Sequence, residues 1–146
     1  MKSPRRRARE YAMQGVYQWL MAGGAALDIA VQIRQDMHFD QADDDFFGTL
    51  VTGTIGAATE LEAQITPLLD RRPAEVTPVE RAILLLGAFE LRDQPDIPYR
   101  VIVNEAIELA KTFGGTDGHR YVNGVLDKLV AVLRPSEVEG SAARTD

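Results

Sequence analysis

Apolar residues recur every three to four positions along nearly all of this chain, and no stretch alternates convincingly between apolar and polar. A period near 3.6 gathers such residues on one face of a helix, whereas a half-buried strand needs a period of about 2. The pattern restricts the chain to an all-α fold of helices joined by short turns. Hydrophobic residues make up 45% of the 146, so one domain of this length can bury a core without a metal or disulfide staple. Cys is absent, which excludes a disulfide scaffold and fits a reducing cytoplasm. The basic start leads into the mixed stretch Glu10 to Gln14, not into the apolar run of a signal peptide. The longest apolar runs are far too short to span a membrane. A soluble, cytoplasmic protein is expected.

Start and stop signals divide the chain. Ser3 at N-cap and Pro4 at the first helical position open a helix that runs to about Met21. It buries Ala8, Tyr11, Ala12, Gly15, Val16, Trp19 and Leu20, and stops at Gly23-Gly24. A second helix covers about Leu27 to Met37. A third starts in Asp43-Asp44-Asp45, where carboxylates suit the positive end of a helix, and ends by Thr66-Pro67. A short turn from Leu68 to Arg71 follows. The clearest start signal is Thr77-Pro78-Val79-Glu80, a capping box with Pro at the first position. The run Ala82 to Phe89 behind it is too apolar for a surface helix and predicts a central one, ending near Leu91. After the loop 93–98, a helix to Phe113 buries Ile102, Ala106, Leu109, Ala110 and Phe113. The last, capped by Thr116 or Asp117, buries Val122, Val125, Leu126, Leu129, Val130 and Leu133, and ends at Arg134-Pro135. One domain over 1–135, with a basic arm at 1–9 and a disordered tail at 136–146, is the expected organisation.

The net charge of −6 conceals an asymmetry. Lys2, Arg5, Arg6, Arg7 and Arg9 lie in the first nine residues with no acid among them, and the remainder carries 11 basic against 22 acidic residues. Between Asp28 and Glu62, eight carboxylates face the single Arg34. An acidic body with a basic arm argues against loose phosphate binding over the whole surface but leaves room for a local basic site. Cations on the first turns of a helix are misplaced, because that end already carries about +0.5 charge. A solubilising arm would explain charge but not the choice of Arg, at 13 Arg to 3 Lys over the chain. The planar guanidinium suits phosphates and stacking on bases, so contact with nucleic acid is the favoured reading. A second candidate is Asp117-Gly118-His119-Arg120-Tyr121. There free N–H groups can hold a phosphate, Arg120 adds charge and Tyr121 offers a face for an unpaired base. Single-stranded RNA lying between two helix N-termini would use both.

Catalytic readings find little support. The only two His are His38 and His119, neither in a metal-binding motif, and there is no phosphate-binding loop of the nucleotide-hydrolase kind. Gly114-Gly115-Thr116-Asp117-Gly118 lacks a preceding strand, so it is no dinucleotide fingerprint. In the acidic run Asp40 to Asp45, Asp45 stands where a calcium loop needs glycine and Ala42 replaces a ligand. Glu105 and Glu108 share a helix face but have no partner motif for a metal site. No cofactor, metal or catalytic residue is expected.

Four blocks closely resemble the NusB family: RRRAREYAMQGVYQW at 5–19, VERAILLLGAFEL at 79–91, VNEAIELAKTFG at 103–114 and HRYVNGVLDKL at 119–129. They fall in the family's order over nearly the whole chain, to about Arg134. The resemblance implies about seven helices in two small packed bundles. It also implies an antitermination factor that binds the boxA element of nascent RNA with NusE, a small-subunit ribosomal protein. The pair would help RNA polymerase, with NusA and NusG, to pass terminators in ribosomal RNA operons. On this reading the RNA surface comprises Lys2, Arg5, Arg6, Arg7, Arg9, Asp117, Arg120 and Tyr121. The NusE-facing surface involves Tyr17, Glu80 and Arg81. Two alternatives stay open. The bundle also fronts certain ribosomal RNA cytosine methyltransferases, though this chain leaves no room for a methyltransferase domain. A self-associating scaffold is the other, since homodimers in the family cover the RNA surface.

Overall fold

In a computed structural model the described residues are 2–115 and 117–144, with side chains to 140. Among them are eight α-helices and no strands. The first, α1, spans Pro4–Ala22, and the Ser3 hydroxyl accepts from the Arg6 N–H at 3.1 Å as its N-cap. It ends at Gly23 and Gly24, whose φ values of 70° and 104° suit glycine and few other residues. The next helix, α2 (Ala26–Ile33), is shorter than its apolar pattern predicts. Just beyond it, Asp36 accepts the His38 N–H at 2.9 Å and the Tyr11 hydroxyl at 2.8 Å. Such an Asp-centred turn competes with helical hydrogen bonding and ends the helix before Met37.

A 3-10 turn (Phe39–Gln41) leads into α3 (Asp44–Gly56), capped by the Asp43 carboxylate on the Phe46 N–H. The sequence predicts one helix from here to Thr66. The chain instead breaks at Ala57 and restarts as α4 (Ala58–Ile65). Gly53 and Gly56, poor helix formers, weaken the segment before the break. Gly53 has a packing reason as well: a Cβ there would stand 2.3 Å from the Phe89 ring, so α3 can lie this close to its neighbour only through glycine. Two further 3-10 turns (Thr66–Leu68 and Pro73–Glu75) precede α5.

The central helix, α5 (Pro78–Asp93), begins in the capping box that the sequence predicts: Thr77 accepts from the Glu80 N–H, and Glu80 accepts from the Thr77 N–H at 3.0 Å. It packs against α1 and α3 on one side and α4, α6 (Tyr99–Phe113) and α7 (Gly118–Leu133) on the other. Two small bundles thus share α5 and one continuous core, in which Phe47, Leu50, Leu61, Ile83 to Leu86, Leu126 and Leu129 are sealed from solvent. Trp19 and Leu20 are only half-buried. Phe113, expected in the core, is 37% exposed, because the buried stripe of α6 ends at Ala110.

Of the segment 136–146, expected to be disordered, the described part is helical: α8 spans Pro135–Arg144. Pro135 is well placed at a first helical position, where its missing N–H costs nothing. Glu137 then accepts the Tyr99 N–H at 2.9 Å and pairs with Arg134 at 2.6 Å. Burial pushes the Glu137 carboxyl upward, but these partners outweigh it and hold it below the usual carboxylate range. Arg134 is itself buried and donates to the carbonyls of Glu90, Leu91, Gln94 and Ile97, closing the end of α5 that has no helical partners. Residues 145–146 lie outside the described residues.

Candidate nucleic-acid interface

The five cations of the N-terminus do not form one exposed arm. Lys2 pairs with Glu10 at 2.8 Å. Arg5 is exposed, its guanidinium 4.4 Å from the centre of the Phe46 ring. Arg6 makes a two-pronged pair with Glu105 of α6, at 3.1 and 2.7 Å. That hydrogen bond, more than simple attraction, raises its pKa further. Arg7 is half-buried and makes no ion pair among the described residues. Arg9 departs most from its grouping with the arm. It is 4% exposed and grips Glu90 of α5 through three contacts of 2.8 to 3.2 Å. Its register on α1 explains this: Ala8, Arg9, Ala12 and Val16 all turn toward α5 and the core. A guanidinium so enclosed has no face for a phosphate. Arg5 and Arg7 are the cations of this end best placed to reach an anion, while Lys2 and Arg6 would first have to leave Glu10 and Glu105.

The start of α7 holds the second group. Asp117 occupies the N-cap position but makes no side-chain capping bond, so its exposed carboxylate remains available. The alternative cap, Thr116, lies outside the described residues. Arg120 is exposed. Tyr121 is not the open platform that the sequence suggests. The Arg71 guanidinium lies 3.9 Å from its ring centre, the ring packs on the core, and its hydroxyl is buried. Burial raises the Tyr121 phenol above its usual range, while the Arg71 charge works against the rise. Arg71 in turn donates to both oxygens of Glu80, at 3.1 and 3.3 Å.

Of the three residues expected to face a protein partner, Tyr17 is 37% exposed on α1 and Arg81 pairs with Glu62 of α4. Glu80 is buried at 4% exposure, and its carboxylate is occupied by Thr77 and Arg71. These bonds make Glu80 the link between the start of α5 and Arg71. The N-terminal cations and the Tyr121 corner attach to α5 ten residues apart, at Glu90 and Glu80. At a rise of about 1.5 Å per residue this is about 15 Å along the helix.

Sequence reasoning missed Arg71, Glu90 and Glu105 as parts of the site. Glu90 carried a signal: it is a lone charge inside the apolar run Ala82 to Leu91, and a carboxylate so placed needs a buried partner. Arg71 sat in a segment read only as a turn. Among the described residues no cluster of three or more His, Cys, Asp or Glu could hold a metal, and no helix is long and apolar enough to cross a membrane.

The family model described as "NusB family" matches residues 6–131. Transcription antitermination protein NusB of Paraburkholderia phytofirmans is 53% identical over 99% of this chain and 100% of its own length. That of Aromatoleum aromaticum is 54% identical, over 99% and 98%. Among solved structures, NusB of T. maritima superposes with a TM-score of 0.77 at 26% identity, covering 95% of this chain and 99% of that one. The antitermination factors NusB and NusE in complex with dsRNA give a TM-score of 0.79 at 21% identity, covering 87% and 96%; at that identity the likeness concerns the fold alone. By matched length, by identity over its full extent and by its helical architecture, this chain belongs to the NusB family.

Proposed function

We propose that the chain is a non-enzymatic, cytoplasmic transcription antitermination factor that binds boxA-type single-stranded RNA together with NusE. With NusA and NusG it would help RNA polymerase to pass terminators in ribosomal RNA operons. The observation that carries this reading is the 53% identity, over essentially the whole of both chains, to proteins named for transcription antitermination. The chemistry of the surface supports it. Arg5, Arg7 and Arg120 offer guanidinium groups without carboxylate partners among the described residues, on a chain whose body is acidic. Repulsion from that body disfavours indiscriminate phosphate binding, so productive contact depends on a defined RNA path between the α1 start and the α7 start. Tyr17 and Arg81, on the packed helices α1 and α5, are the proposed contacts to NusE, with Glu80 holding the corner behind them. A homodimer covering the RNA surface would be the competing state.

The test is transcription in a purified system, through a terminator placed behind a ribosomal RNA leader, with NusA, NusE and NusG present. Adding this chain should raise read-through, and the gain should vanish when the boxA element is scrambled. Equal read-through with and without the chain would defeat the proposal.

A further inference from the structure

We propose that Arg71, not Tyr121 itself, is the stacking platform for one unpaired RNA base, with Tyr121 as the support beneath it. The proposal rests on the RNA-binding reading above and names a residue of that site. A guanidinium is flat and stacks on π faces from either side. One side of Arg71 is occupied by the Tyr121 ring, at 3.9 Å. Its edge is pinned by Glu80, which the Thr77 N–H holds in the capping box. The side chain is still 36% exposed, so solvent reaches it from outside. An Arg held in this way has already lost most of its rotamer freedom, and a base laid on it need not supply that cost again. The ion pair with Glu80 also largely neutralises its charge, which makes Arg71 a poor phosphate contact and leaves its flat face as the useful feature. Phosphate contact would fall to the exposed Arg120, beside Tyr121 in sequence.

The test uses the full chain with NusE and a short single-stranded boxA oligoribonucleotide in which each base in turn is replaced by an abasic residue. With the wild-type chain, one position should weaken binding by about 5- to 150-fold when its base is removed. Arg71→Lys keeps the charge and loses the plane. It should weaken binding of the intact RNA by a similar factor, and the abasic RNA should bind both proteins alike. A 2-aminopurine at that position should be quenched by the wild-type chain and not by Arg71→Lys. If the intact RNA binds wild type and Arg71→Lys equally, or if no abasic position depends on residue 71, the platform is wrong even though RNA binding stands. If the wild-type pair binds no RNA at all, the underlying function fails with it. The abasic scan on wild type needs no variant to fold.

Discussion

Arg9 of α1 and Glu90 of α5 form a two-pronged ion pair at 2.8 to 3.2 Å inside the core, with both side chains 5% exposed or less. The pair fastens the N-terminal helix to the central one and fixes where Arg5 and Arg7 emerge. Burial raises the Glu90 carboxyl above its usual range, even against the downward pull of Arg9. A group with a raised folded pKa contributes stability that is fully present below its unfolded pKa and lost as the pH climbs through the folded value.

Arg9→Ala should therefore cost about 3–5 kcal/mol at neutral pH, because it strands a buried carboxylate. The deficit should be smallest in acid, where Glu90 is neutral, and should grow as the pH rises past the ordinary carboxylate range of about 4.5. Urea unfolding at several pH values measures this. A deficit independent of pH would mean that Glu90 is not the group left behind.

Glu105 pairs with Arg6 at 2.7 Å and lies 3.6 Å from Arg9 as well. Glu105→Gln should loosen Arg6 and tighten RNA binding, with the salt dependence steepened by up to about 0.7, the increment of one added contact to a single strand. Unchanged affinity and slope would show that Arg6 takes no part in the interface.

Thr77→Ala removes one half of the capping box and should destabilise the fold by about 1 kcal/mol, within the range of about 0.5–2 for a lost N-cap. Denaturant midpoints of the two proteins give the answer directly. Identical midpoints would show that the Thr77 hydroxyl does not secure the start of α5.

Tyr11 donates to Asp36, and burial followed by that hydrogen bond pushes its phenol up to about 12. Stability from this pair is present below the ordinary phenol value and is lost as the pH rises through about 12. Alkaline titration of tyrosine absorbance should show a late-titrating component that Tyr11→Phe removes. Its persistence in the variant would assign it to another residue.

How much of this was legible in the sequence follows the distance between partners. The Ser3 and Thr77 caps are local, set by spacing within a turn, and the structure forms them where the residues indicate, whereas the apolar stripes hold along their middles and give way at Trp19, Leu20 and Phe113. The fate of Arg9 depends on Glu90, 81 positions away, and that of Arg6 on Glu105, 99 away. A run of five cations therefore looked uniform, although helical register sends one of its members into the core. Arg71 was invisible for the same reason, since nothing near it in sequence announces Tyr121. The polar composition of residues 136–144 pointed to disorder, where the structure has a helix. That helix is held by Glu137 reaching back to Tyr99, a contact that composition does not encode.

The central claim, that this chain binds RNA through guanidinium groups at the start of α1, is tested most directly by a salt series of boxA RNA binding to the chain paired with NusE. Wild type should lose affinity steadily with rising salt, and replacing Arg5 and Arg7 together by Ala should weaken binding and reduce the slope by about 1.4, two contacts at about 0.7 each. Arg120→Ala should lower the slope further by about one contact. A double variant with the affinity and salt slope of wild type would contradict the account, because the N-terminal arginines would then be a solvated surface and the RNA would lie elsewhere.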